Sequence, residues 1–302
     1  MTMTGDYAGQ DLVFVVGCPR SGTTWVQRLL AACPGVRTGQ ESDLFDEYVG
    51  PALRHWRRDL ASPGRPVGMG CHHTEEQFQD ILRQFLLRLL APMRAGLGPG
   101  ELFVEKTPSH ALYLPEIAEL LPRCRVVHVL RDCRDAVASL LAASRGWGAG
   151  WAPPTARGAA AMWTRHVRAA AQGRELFGPR FVEVRYEALL AAPEAGLRAL
   201  AVDFLGLPLD AAGLARAVAA CRAEAGGGAA LPVGGQWARA GAAPGEPEGF
   251  VRRARAGGWR QELGRLDMLR VWRAARRDMA RAGYPWPWPW QALAPRPGGG
   301  RR

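Results

Sequence analysis

The feature that most constrains the fold is a loop with two glycines, set between a short apolar strand and a helix. Residues Asp11–Val16 form a β-branched and aromatic run, GCPRSGTT follows, and the helix-like WVQRLLAAC ends before a Pro-Gly pair. Thr23 and Thr24 directly follow Gly22, the second of the two glycines. A strand, a tight loop and a helix in this order turn backbone N–H groups and a positive helix end toward one point. The sequence therefore predicts a site for a phosphate-like anion.

Further strands and helices alternate along the chain. Apolar or β-branched runs predict strands at Leu102–Glu105, Arg125–Leu130 and Arg180–Val184. Between them, helical patterns cover Gln77–Leu90, Leu114–Leu121 and Ala159–Leu176. This alternation predicts an α/β single domain with a central, mostly parallel sheet flanked by helices. We place that domain at residues 11–283, between an N-terminal tail at 1–10 and a Pro/Trp/Gly-rich tail at 284–302.

The charge of the chain indicates an anionic partner without naming it. The 302 residues are 48% hydrophobic and 22% charged, which excludes disorder for most of the length. The net charge is +11, yet Lys106 is the only lysine and the arginines are spread over the whole chain. This spread makes an Arg-rich nucleic-acid-binding protein the weaker alternative, because such proteins cluster their basic residues.

Two absences in the sequence lead to further expectations. The longest early apolar run, Leu12–Val16, is too short for a signal-peptide core or a membrane span, so we expect a cytoplasmic protein without a membrane span. The 6 cysteines include no CxxC pair, so we expect reduced thiols in packing roles and no metal site.

The loop departs from that of nucleotide hydrolases at one position. A Walker loop has a lysine directly after its second glycine, and Thr23 stands there in this chain. Arg20, inside the loop, supplies the cation instead. A P-loop kinase or nucleotide hydrolase stays the alternative enzyme, but it would also need a strand that ends in Asp, and Arg125–Leu130 leads into Arg131.

Four segments in order resemble the sulfotransferases that use 3′-phosphoadenosine 5′-phosphosulfate (PAPS). PRSGTTW, at 19–25, resembles the family's 5′-phosphosulfate loop, and VHVLRDCRDAVASL, at 127–140, resembles its 3′-phosphate segment. FVEVRYEALL, from 181, resembles the strand and tyrosine near the adenine, and FVRRARAGGWRQEL, at 250–263, resembles the C-terminal loop over the 3′-phosphate.

The resemblance implies a P-loop NTPase-like fold and transfer of a sulfonate from PAPS to a hydroxyl or amine. Adenosine 3′,5′-bisphosphate (PAP) is the remaining product, no metal is required, and the acceptor is a small or carrier-bound molecule rather than nucleic acid. The loops at 42–96, 143–160 and 224–248 are expected to shape the acceptor pocket. The positions that match the family's donor-binding residues are Arg20, Ser21, Gly22, Thr23, Thr24, Trp25, Arg131, Ser139, Tyr186, Arg252 and Arg253.

The same resemblance suggests which residues act on the reacting groups. Glu41 matches the glutamate that serves as base in the family's tyrosylprotein sulfotransferases. Lys106, in EKTP, and Arg20 would supply cations to the transferring group. Cytosolic small-molecule members have a resembling KTH, in which the histidine is the base, and Pro108 takes that place here. His110 remains the alternative base.

Overall fold

Five parallel strands form the centre of the protein, in the order β2-β3-β1-β4-β5. A computed structural model describes residues 7–61, 68–227 and 256–286. The strands are β1 Leu12–Gly17, β2 Val36–Thr38, β3 Leu102–Glu105, β4 Arg125–Leu130 and β5 Phe181–Arg185. The predicted α/β fold with a central parallel sheet is confirmed.

The burial of the central strand, β1, explains why its sequence is a continuous apolar run. All six residues of β1 are buried, because β3 and β4 pair with it on either side and helices cover both faces. Successive side chains alternate between the faces: Leu12, Phe14 and Val16 join one apolar cluster, whereas Val13 and Val15 join another. Both faces of the sheet are therefore core.

Helices surround this sheet. In chain order they are α1 Thr23–Ala31, α2 Gly50–Leu60, α3 Glu75–Arg94, α4 Leu114–Leu120, α5 Cys133–Ser144, α6 Ala156–Ala170, α7 Gly173–Phe177, α8 Tyr186–Ala191, α9 Pro193–Leu197, α10 Ala211–Gly227, α11 Trp259–Glu262 and α12 Arg265–Arg281. A π-helical turn covers Leu44–Val49, and a 3₁₀ segment covers Pro108–Tyr113. Within the described ranges, no helix combines the length and the apolar character that a membrane crossing requires.

Two of the departures from the predicted elements have a clear local cause, in addition to small shifts of bounds and to α10, which runs to Gly227 where a loop was expected from 224. The sequence did not predict β2, because this edge strand has only three residues, which is too few to show an alternating or apolar pattern. The single helix predicted over Ala159–Leu176 is two helices, with the break before Gly173. A Cβ at Gly173 would lie 2.0 Å from the Phe181 ring, so the glycine lets the chain pass close to β5.

Parallel pairing places the carboxyl ends of all five strands at one edge of the sheet. The phosphate loop follows β1, Glu41 lies shortly after β2, Lys106 follows β3, Arg131 follows β4, and Tyr186 follows β5. Ligands of open parallel sheets bind at this edge. Residues that are far apart in the sequence are thus gathered into one region.

Gly22 is required by two independent constraints. Its φ of +99° lies in the left-handed region that glycine alone adopts without strain. A Cβ would also lie 2.3 Å from Cδ2 of Tyr186, because the tyrosine ring packs on the loop backbone. Gly35 has a φ of +78° but no atom within 4 Å of such a Cβ, which makes it the natural comparison.

We predict that Gly22→Ala destabilises the protein more than Gly35→Ala does. Gly35→Ala carries only the left-handed penalty, about 1–2 kcal/mol in the free energy of unfolding. Gly22→Ala adds the displacement of a buried ring, for a total of about 2–5 kcal/mol. Denaturant unfolding of both variants measures the difference. Equal losses would show that the ring contact does not constrain the loop.

Candidate active site

The loop between β1 and α1 has the shape of an anion cradle. Arg20 and Gly22 both adopt left-handed backbone conformations, with φ of 72° and 99°, and the first turn of α1 follows directly. The Ser21 N–H donates to Cys18 O at 3.0 Å and closes the turn. The Ser21 hydroxyl is buried and finds no hydrogen-bond partner among the described residues. A buried hydroxyl of this kind fits an anion oxygen, because leaving it unpaired is costly.

The structure brings the phosphate loop into contact with the segment that resembles the family's 3′-phosphate segment. Arg20 Nε donates to Ser139 Oγ at 3.1 Å, and Arg131 Nη1 donates to the Arg20 carbonyl at 3.0 Å. Ser139 lies in the second turn of α5, and Arg131 lies between β4 and that helix. Two guanidinium groups and a hydroxyl therefore meet beside the loop, which suits a ligand with several negative charges.

Aromatic side chains complete the donor side of the region. Tyr186 is 4% exposed, and its ring packs on Gly22 and lies 5.6 Å from the Trp25 ring in an edge-on arrangement. The Arg131 guanidinium lies 4.4 Å from the centre of the Tyr186 ring. Burial raises the pKa of Tyr186, so its hydroxyl stays protonated at neutral pH. A flat, apolar wall with adjacent cations suits a nucleobase.

Glu41 and Lys106 form an ion pair. Lys106 Nζ donates to Glu41 Oε1 from a side chain that is only 5% exposed, whereas the Glu41 side chain is 42% exposed. The pair joins the segment after β2 to the end of β3. A buried ammonium thus faces a carboxylate that solvent or an acceptor can reach.

His110 is in a different position from the one that a base needs. It is completely buried, its Nδ1 lies 2.9 Å from Glu105 Oε2, and its Nε2 accepts the Phe45 N–H at 3.1 Å. Both ring nitrogens are thus engaged within the protein. Among the described residues, His110 is also not one of those that line the cavity described next.

A cavity of about 730 Å³ connects the phosphate loop with Glu41. Tyr186 also lines it, so a donor and an acceptor can share one space. Helix α6 and the loop before it supply part of the wall. The lining residues beyond those already described include Arg28, Asp43, Ser109, Leu112, Trp147, Trp151, Met162, Arg165, His166 and Leu190.

Helix α6 contributes to the cavity wall a histidine that the sequence analysis did not identify. His166 is 4% exposed, and its Nδ1 donates to Met162 O at 2.8 Å. Burial lowers the pKa of His166 to about 4, so the imidazole is neutral at pH 7. Of the loops expected to shape the acceptor pocket, those at 42–96 and 143–160 do contribute lining residues, whereas 228–248 lies outside the described part of the chain.

Asp135 anchors the C-terminal segment beside Arg131 and Ser139. Its carboxylate accepts the N–H groups of Gly257 at 2.6 Å and Trp259 at 2.9 Å. No local signal in the sequence could reveal this role of Asp135, because its contact with Gly257 spans 122 residues. The predicted phosphate ligands Arg252 and Arg253 lie outside the described residues.

A parallel sheet with a phosphate loop that lacks the Walker lysine defines a nucleotide-binding protein outside the common NTPases. The chain belongs to the sulfotransferase family, whose model matches residues 12–211. Protein-tyrosine sulfotransferase 1 of Danio rerio is 27% identical over 198 residues, which cover 65% of this chain and 53% of the relative. The protein-tyrosine sulfotransferase of Drosophila melanogaster is 28% identical over 199 residues, 65% of this chain and 38% of the relative.

A solved structure shares the fold. Mouse sulfotransferase SULT7A1 complexed with PAP superimposes with a TM-score of 0.56 at 15% identity, and the match covers 91% of this chain and 89% of the mouse chain. The predicted fold and the predicted sulfotransferase class are thereby confirmed. The chain spans about half or less of the length of the two curated relatives named above.

The expectation of a cytoplasmic protein is wrong. The curated relatives are protein-tyrosine sulfotransferases, a class that does not reside in the cytoplasm. The apolar run Leu12–Val16, on which the expectation depended, lies in the central strand of the sheet. Its length is therefore that of one buried strand and carries no information about the compartment.

We predict that Arg131→Ala and Ser139→Ala each weaken the binding of PAP. Each variant loses a hydrogen bond to a charged group, which lowers affinity by about 10- to 150-fold. Isothermal titration calorimetry with PAP measures the change. Arg125→Ala is the matched control, because Arg125 lies at the opposite end of β4 and donates to the Gln10 carbonyl. Unchanged affinity in folded Arg131→Ala would remove this assignment.

Proposed function

We propose that the chain transfers a sulfonate group from PAPS to a hydroxyl of an acceptor that is a small or carrier-bound molecule. The observation that carries this proposal is that Glu41, which is paired with the buried Lys106, lines the same cavity as the phosphate loop. A base for the acceptor and a cation for the leaving group then lie within reach of one donor. Family membership supports the same class of reaction.

The donor-binding roles follow from the two ends of PAPS. Bound PAPS supplies the sulfonate on a phosphate that leaves readily. The residues proposed for its 5′ end are Arg20, Ser21, Gly22, Thr23 and Thr24, and the buried Ser21 hydroxyl supports this assignment. Arg131 and Ser139 hold the 3′-phosphate, and Trp25 and Tyr186 contact the adenine. Arg252 and Arg253 are proposed as further ligands of the 3′-phosphate.

The ion pair gives the reaction a consistent charge balance. The acceptor oxygen forms a bond to sulfur, its proton passes to the Glu41 carboxylate, and the bond between sulfur and the leaving phosphate oxygen breaks. Glu41 loses its charge at this step, which releases the Lys106 ammonium to stabilise the charge that develops on the leaving oxygen. Arg20 stabilises the remaining oxygens of the transferring group.

A P-loop kinase is the second candidate, and two positions disfavour it. Thr23 occupies the place of the Walker lysine. The strand β4 leads into Arg131, whose guanidinium packs on Tyr186, where a kinase of this class would need a magnesium-binding Asp. The first departure removes the lysine that contacts the outer phosphates, and the second puts an arginine where the magnesium ligand would be.

We predict that Glu41→Gln lowers the single-turnover rate by about 10²- to 10⁴-fold and leaves PAP affinity unchanged. Gln keeps the shape but cannot take the acceptor proton. The assay uses radiolabelled PAPS at saturation with a panel of phenols and alcohols as acceptors. Glu47→Gln is the control, because Glu47 is an exposed glutamate six residues away in the Leu44–Val49 turn.

A contrary result would reassign the base. If Glu41→Gln keeps its rate while folded His110→Ala is inactive, His110 is the base and the role given to Glu41 is wrong. Comparable losses in Glu41→Gln and Glu47→Gln would instead indicate a general effect of charge in this segment.

We predict that Lys106→Ala loses both turnover and some donor affinity, since the phosphosulfate is already anionic before reaction. Lys106→Arg keeps the charge but not the compact ammonium, so donor affinity should recover while turnover stays low. Titration with PAP and the single-turnover rate separate the two effects. Full activity in Lys106→Arg would show that only charge is needed at this position.

A further inference from the structure

A buried carboxylate lies next to Lys106 in the chain. Glu105 is the last residue of β3, is 1% exposed, and pairs in register with Phe14 of β1. The other three residues of β3, Leu102, Phe103 and Val104, are buried and apolar. Burying a charge is costly unless hydrogen bonds replace the lost water, so the contacts of Glu105 indicate what it is there to do.

Glu105 receives three side-chain hydrogen bonds. Its Oε1 accepts from Ser42 Oγ and from Thr107 Oγ1, both at 2.7 Å. Its Oε2 lies 2.9 Å from Nδ1 of His110. Burial acts against the charged form, yet the His110 ring and the two hydroxyls hold the pKa of Glu105 below its usual value.

Two of these partners are the chain neighbours of the proposed reacting pair. Ser42 follows Glu41, and Thr107 follows Lys106. The Ser42 N–H also donates to Thr107 Oγ1 at 3.1 Å. One buried carboxylate therefore fixes the backbone beside both members of the ion pair.

The third partner, His110, adds a further link between these segments. His110 Nε2 accepts the Phe45 N–H at 3.1 Å, so the ring proton is on Nδ1 and is donated to Glu105. Phe45 belongs to the Leu44–Val49 turn and packs edge-on against the His110 ring, with the ring centres 5.3 Å apart. His110 thus ties the segment after Glu41 to the end of β3.

We propose that Glu105 is a positioning residue that holds Glu41 and Lys106 in register for proton transfer. The proposal rests on the proposed function of that pair. The Glu41 side chain is 42% exposed, and an exposed carboxylate on a loop has several rotamers of similar energy. Anchoring the neighbouring backbone on both sides restricts these positions before an acceptor binds.

The chain offers a direct probe of this arrangement, because Lys106 is its only lysine. Lysine labelled with ¹³C at Cε and ¹⁵N at Nζ gives a single side-chain NMR signal, which reports the contact with Glu41. Glu41→Gln defines the signal of Lys106 without its partner. Glu183→Gln is the matched control, because Glu183 also pairs with a buried histidine, His128, at 3.1 Å.

We predict that Glu105→Gln moves the Lys106 signal toward the Glu41→Gln position, while Glu183→Gln leaves it in place. The single-turnover rate should fall by about 10²-fold, as expected when a reacting group is displaced by about 1 Å. PAP affinity and the acceptor KM should stay within about twofold. A purely structural role would lower the stability and donor affinity together and would not move the Lys106 signal selectively.

Two outcomes distinguish failure of the positioning role of Glu105 from failure of the reacting pair. If Glu105→Gln keeps the native Lys106 signal and rate, the positioning role is wrong. If Glu41→Gln itself leaves the Lys106 signal unchanged, the reacting pair of the proposed function fails instead. Should Glu105→Gln not fold, Ser42→Ala and Thr107→Val remove two of its donors and keep the carboxylate. They should shift the signal in the same direction, and no shift in either would overturn the proposal.

Discussion

The parallel pairing of β1 between β3 and β4 is the constraint on which the rest of the structure depends. Register pairs Phe14 with Glu105, the last residue of β3, and Gly17 with Val129 of β4, so β3 ends three residues before β1 although all three strands run toward the same edge. The phosphate loop therefore shares this edge of the sheet with Lys106 and Arg131. No single segment contains this site, because each strand end contributes one part of it.

Close packing around the phosphate loop fixes the positions of its residues. Gly22 admits the Tyr186 ring at a distance that no side chain would allow, and a Cβ at Gly17 would lie 2.6 Å from the Val129 carbonyl. Arg131 packs on the ring of the same tyrosine and donates to the Arg20 carbonyl. The groups proposed to bind the anions are therefore held by the core, which reduces the entropy lost when a ligand binds.

The chemistry of the cations is divided between two residue types. Of the 39 basic residues, 38 are arginines, and the single lysine is buried against Glu41. The planar guanidinium of arginine offers several donors that match the oxygens of a phosphate. The compact ammonium of lysine can move its hydrogen bond from a carboxylate to a leaving oxygen with little displacement. The role proposed for the lone lysine is thus one that an arginine would fill poorly.

Local patterns in the sequence were sufficient to predict the elements that carry their own signal. The strands at Leu102–Glu105 and Arg125–Leu130 have the predicted bounds, because buried parallel strands leave an unbroken apolar run. The pair Glu41–Lys106 could be suspected only through resemblance. Asp135 and Glu105 could not be predicted at all, since their roles depend on partners brought together by the fold.

This phosphate loop, with Arg20 in place of a Walker lysine, is proposed to serve a nucleotide with two separate anionic ends. Calorimetric titration of the wild-type chain with PAP in EDTA and with ATP in magnesium tests this directly. We expect PAP to bind equally with or without magnesium and at least about 10²-fold more tightly than ATP. Tight, magnesium-dependent binding of ATP together with no binding of PAP would contradict it.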